Sequence, residues 1–145
     1  MTQQHALPPP GMQPEPSYIA VTTRTPPLGA GFTFVKPKLF VNGYEVPAVW
    51  GRNVIPMPPG RHHVHVHVPF LLPPRIGPTD ITVTTAPGQV VELEYREPHW
   101  SFSRGSLGPP PQKSQGLAIS IAVMVGFVSL ALLCGGAAVF AAATL

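Results

Sequence analysis

The side chains best suited to chemistry are crowded into "RHHVHVHV", residues 61–68, where four of the chain's six histidines fall within eight positions. Imidazole is a ligand for zinc, copper and nickel. It also changes charge near its unperturbed pKa of about 6.5. On a strand, side chains alternate between faces. His63, His65 and His67 then share one face, and Val64, Val66 and Val68 share the other. The valines suit a core, and the histidines suit the wet side of a half-exposed sheet. Alternate residues on a strand lie about 6.6 Å apart, from a rise of about 3.3 Å per residue. Two neighbouring imidazoles can therefore reach one zinc at a Zn–N distance of about 2.0–2.1 Å, whereas three converge only if the strand bends. Glu92 and Glu94, alternating along "VVELEYR", would complete a ligand set if their strand lay alongside. The same face is a candidate pH sensor, because clustered imidazoles repel once protonated and nearby carboxylates offset the charge. His63, His65 and His67 thus carry a metal reading, with zinc or copper as cofactor, and a pH-sensing reading. Beside these stands the plainer reading of a solvated strand face with no cofactor.

Catalysis has little support in the sequence. Asp80 is the only aspartate, and no motif places any pair of glutamates in a cleft. The nucleophile elbow, the P-loop and the helical two-histidine zinc motif do not occur. The single cysteine, Cys134, lies inside an apolar run. The net charge of +3 is mild and its basic residues are scattered. Nucleic-acid binding would call for clustering on one face, so no nucleic-acid partner is expected.

Two kinds of segment must position these residues. From Leu117 to Leu145 there is no charged residue and no proline, and all 21 prolines lie before it. Such a run reads as one transmembrane helix over 117–145. At about 1.5 Å per residue it would be about 43 Å long, the thickness of a bilayer with its head-groups. "MTQQHALPPP" has neither the basic start nor the apolar stretch of a secretory signal, so the sequence reads as tail-anchored. Arg104 and Lys113 precede the span. The positive-inside bias then places the head on the cytoplasmic side of the cell membrane. Within the span, Ala118, Ala122 and Gly126 recur at i, i+4 and i+8 and offer a small-residue stripe for helix–helix contact, hence for a homo-oligomer.

Residues 1–16 are rich in glutamine, proline and glycine and read as a disordered proline-rich tail. Residues 17–102 read as short strands between turns: "SYIAVTT", "FTFVKPKLFV", "AVWG", "NVIPM", "RHHVHVHVPF", "TDITVTTA", "VVELEYRE" and a last edge at "HWSF". Asn42-Gly43 between apolar arms signals a two-residue hairpin, whose central residues need positive φ. Prolines break every helical window. The head is therefore expected to be a small antiparallel β-sandwich, with Trp50 in its core and Trp100 packed on it. Residues 103–116, "SRGSLGPPPQKSQG", read as a proline- and glycine-rich linker holding the head off the bilayer.

The order from Phe32 to Glu97 resembles the PEGA-type domain. Val41, Gly43, Pro59, Gly60, Val64, Val66, Gly88, Val91 and Leu93 carry the likeness, and "MPPGRHH" stands where the family's name-giving motif falls. The resemblance implies a compact β-sandwich beside a transmembrane segment, as in bacterial envelope proteins, with a binding or scaffolding role. The expectation is a non-catalytic, membrane-anchored binding or scaffolding protein. Its partners would be the bilayer, an unknown protein and a second copy of itself.

Overall fold

The computed structural model describes residues 15–26 and 34–143, with the side chains of the final helix described as far as Gly136. The expected disordered tail, residues 1–16, lies outside the described residues apart from Glu15 and Pro16. Among the described residues eight strands precede one helix: β1 (Ser17–Arg24), β2 (Lys38–Val41), β3 (Tyr44–Val46), β4 (Gly51–Met57), β5 (Gly60–Pro69), β6 (Arg75–Thr85), β7 (Val90–Arg96), β8 (Ser106–Gly108) and α1 (Leu117–Ala143). They form two four-stranded sheets, ordered β4-β1-β7-β8 and β3-β2-β5-β6. This is the sandwich head and single apolar helix that the residue pattern implies.

Alternation sets which side faces in. Ile19 and Val21 of β1, with Leu93 and Tyr95 of β7, meet Leu39 and Val41 of β2 and Val64 and Val66 of β5 in one buried cluster. Trp50 packs on the margin of this cluster and its indole N–H donates to the Val35 carbonyl at 2.9 Å. Hydrogen bonds tie the sheets at both ends. The Tyr95 hydroxyl donates to the Gly77 carbonyl at 3.0 Å, and Ser17 bonds Thr85 at 2.8 Å between hydroxyls. Asn42 (φ 53°) and Gly43 (φ 84°) make the two-residue turn between β2 and β3, as their types require. Pro56 and Pro78 fall on the edge strands β4 and β6, where a missing N–H costs no ladder bond.

Three features depart from the sequence expectation. First, β1 pairs with β7 in parallel, while every other pairing is antiparallel. Local pattern cannot reveal this, because β1 and β7 are brought together by the intervening chain. Second, β6 begins at Arg75 rather than Thr79, leaving only 70–74 as loop. The early start depends on a bulge: Val66 pairs Thr79 and Val68 pairs Ile76, so Gly77 and Pro78 oppose His67 alone. Gly77 takes φ 57°, the left-handed conformation that the first residue of such a bulge adopts. Third, the segment 103–116 is not a free spacer. It contains β8, which pairs with β7, while 99–102 forms a turn. The Ser106 hydroxyl donates to the Lys113 carbonyl at 2.7 Å, and the His99 N–H donates to the Gln115 carbonyl at 2.8 Å. The chain is thereby held on the head up to the residue before α1.

Helix α1 is apolar on all sides and contains a 20-residue stretch, Leu117–Gly136, long and apolar enough to cross a membrane.

Candidate functional site

Strand β5 is flanked by β2 and β6, and the register dictates its neighbours. His65 lies between Phe40 on β2 and Asp80 on β6; His67 lies opposite Lys38; His63 lies opposite Thr82. On the inner side Val64, Val66 and Val68 are buried, as the alternation requires. On the outer side exposure falls along the strand: His63 is exposed, His65 is half-buried and His67 is only 7% exposed. The bulge and the Phe40 ring explain the trend. Phe40 stacks on His67 with centroids 5.7 Å apart and planes 14° from parallel.

The polar atoms form a chain. His65 Nδ1 is 2.8 Å from Asp80 Oδ1, and His65 Nε2 is 3.0 Å from His67 Nδ1. His63 Nε2 reaches the same Asp80 oxygen at 3.3 Å. An ionised carboxylate only accepts hydrogen bonds, so His65 Nδ1 carries a proton. With both rings neutral, His65 Nε2 then accepts from His67 Nδ1–H, and His67 Nε2 is left with a lone pair. Burial first, then the charges of His65, Arg75 and Lys38, pulls the His67 pKa down from 6.5 to about 4. The neutral ring is therefore the resting form near pH 7. Around this chain Phe40, Gly43, His63, Arg75 and Asp80 shape an open groove of about 320 Å³.

The residues singled out from sequence fare unevenly. His63, His65 and His67 share a face, but their nitrogens bond to each other and to Asp80 rather than converging on a point. Among the described residues no three His, Cys, Asp or Glu side chains are placed to hold a metal ion. Glu92 and Glu94 belong to the other sheet, where Glu92 pairs with Arg52 and Glu94 with Arg24 and Arg96. Asp80 takes the part expected of them. It sat in view as the only aspartate, but the register that brings it to His65 depends on the β5–β6 bulge and loop. His62 points inward at the edge of the valine face, held by Asn42 and the Pro58 carbonyl. Ala118, Ala122 and Gly126 are all exposed along α1.

No protein-family model matches the chain, and no curated protein is significantly similar to it.

One further group escaped the sequence. Glu97, just past β7, is 2% exposed, and its Oε2 has no hydrogen-bond partner among the described residues. Burial raises its pKa to about 7. In the sequence only an acidic residue before Pro98, at the end of a strand pattern, signals it, and that pattern is not diagnostic.

Proposed function

We propose that this chain is a non-catalytic binding or scaffolding module, held at a membrane by α1, with a PEGA-like sandwich head. The observation that carries the reading is the groove of Phe40, His65, His67 and Asp80 on the outer face of a head whose chain runs directly into an apolar helix. The groove combines an aromatic ring, imidazole donors and acceptors, and a carboxylate, which is equipment for recognising a polar segment of another protein. The positive flank, Arg104 and Lys113, favours a cytoplasmic head at the cell membrane. The same reading takes Ala118, Ala122 and Gly126 as the face on which a second copy packs. A photo-crosslinking residue in place of Phe40, in the full chain in native membranes, tests it. Discrete adducts that vanish with Asp80→Asn are expected. Only the diffuse pattern of an exposed control such as Thr84 would count against it.

The Asp80–His65–His67 chain favours a second reading, in which the groove responds to pH. A proton taken up by His65 makes its Nε2 a donor. His67 Nδ1 must then accept, and the proton of the neutral His67 ring moves to Nε2. The atom presented to a ligand changes from acceptor to donor. Adduct yield at position 40 should change when the membranes are acidified, and a flat profile would remove this reading.

A further inference from the structure

The histidine groove does not account for the end of the sandwich from which α1 emerges. There the loop joining β5 to β6 is pinched by a hydrogen bond from the Phe70 N–H to the Pro74 carbonyl at 3.1 Å. Leu71 and Leu72 stand at its tip, 91% and 72% exposed. The loop after β7 is closed by the Ser103 N–H donating to the Trp100 carbonyl at 2.8 Å. Phe102 projects from it, 66% exposed, with its ring 5.8 Å from that of Trp100. The two loops adjoin, and Arg75 at the start of β6 and Arg104 on the second loop line a shared groove of about 250 Å³.

Single exposed leucines are ordinary on protein surfaces. Adjacent leucines beside an exposed phenylalanine and a half-buried tryptophan, flanked by two exposed arginines, are not scattered exposure. Their position says what covers them. Gly116 lies so close to Trp100 that an added Cβ would come within 3.0 Å of the Trp100 Cβ, and α1 begins at the next residue. The apolar segment Leu117–Gly136 is 20 residues long. At about 1.5 Å per residue it matches a hydrocarbon core of about 30 Å. Gly116 then marks the hydrocarbon boundary, and Trp100 lies at head-group level, where tryptophan concentrates. Arginine there directs its guanidinium to lipid phosphates while its stem covers apolar surface.

We propose that this end of the head docks on the bilayer that α1 crosses. Leu71, Leu72 and Phe102 enter the boundary between head-groups and acyl chains, Trp100 sits at the rim, and Arg75 and Arg104 bind the phosphates of anionic lipids. The proposal rests on the reading of α1 as a membrane span, and its test separates the two.

The full chain is reconstituted into vesicles of phosphatidylcholine and phosphatidylglycerol, with an environment-sensitive fluorophore on one cysteine. The native Cys134 reports on α1. In a Cys134→Ala background, Leu71→Cys reports on the docking loop and Thr84→Cys on the opposite end of β6. Lipids carrying a nitroxide near the head-group should quench position 71 several-fold more than position 84. Arg75→Gln with Arg104→Gln should weaken that quenching in anionic vesicles and not in pure phosphatidylcholine; no change would overturn the phosphate contact. Quenching at Cys134 with position 71 no better quenched than 84 would overturn docking and leave the span intact. Position 71 shielded from aqueous iodide yet not quenched by lipid would place a protein, including a second copy, on the patch and overturn the proposal. Quenching at neither Cys134 nor position 71 would remove both the span and the docking.

Discussion

Two titrating side chains pull the head's stability in opposite directions. His67 has its pKa lowered from 6.5 to about 4, chiefly by burial. Its unfolded form binds a proton first, so its contribution is present above pH 6.5 and is lost as pH falls through about 4. Glu97 has its pKa raised from 4.5 to about 7 by burial. Its contribution is present below pH 4.5 and is lost as pH rises through about 7. Each contributes a slope of at most about 1.4 kcal/mol per pH unit. Where the two windows overlap, from pH 4.5 to 6.5, the slopes oppose, so the parent should show a nearly flat stability profile there. Glu97→Gln should uncover a rise in denaturation midpoint as pH increases from 4 toward 6.5, and His67→Leu should uncover a fall from 4.5 toward 7. Chemical denaturation at a series of pH values checks both, and parallel profiles for all three chains would refute them. The burial of neither group could be read from the sequence. The alternation that put His67 with His63 and His65 was right about the face but silent about the bulge and the Phe40 ring that bury it.

Strands were legible where pattern is local, and contacts were not where they depend on register. Val64 and Val66 declared their core positions by alternating with polar neighbours, and both are fully buried. Val66→Ala should cost about 2 kcal/mol from lost burial and residual cavity, against no more than about 0.5 kcal/mol for exposed Thr82→Ala, read as shifts in denaturation midpoint. The docked segment before α1 was missed because its glycines and prolines look like a linker. One of those glycines, Gly105, is a close-packing position, and so is Gly77 in the β6 bulge that faces it. A Cβ on Gly105 would fall 2.5 Å from the Gly77 carbonyl and 2.6 Å from the Tyr95 ring, and one on Gly77 would fall 2.6 Å from the Tyr95 hydroxyl. Gly105→Ala should therefore release β8 and expose residues 103–116 to proteolysis, whereas Gly43→Ala, which meets open space, should leave that segment protected and cost about 1 kcal/mol through its positive φ. Equal cleavage in the two variants would contradict the packing role of Gly105. On α1, Gly126→Ile should lower energy transfer between labelled copies in vesicles if the small-residue face is where they meet; unchanged transfer would place that contact elsewhere or nowhere.

At the scale of the molecule the apolar run was the plainest signal, because 20 uncharged residues form one helix long and apolar enough to cross a membrane. The sandwich was readable as a class from its turns and alternation. The parallel β1–β7 pair and the attachment of 103–116 were not, since both are long-range. Attachment changes the geometry of the whole protein: instead of standing off on a stiff spacer, the head meets α1 at Trp100, and Arg75 belongs to both the histidine groove and the end proposed to dock. Everything proposed for the groove and for the docking end depends on α1 lying in a bilayer. Alkaline carbonate extraction of membranes carrying the full chain tests that most directly. The chain should remain with the lipid pellet, and should move to the supernatant when Val125 and Phe127 are both replaced by Arg. Release of the parent chain by carbonate would contradict the account.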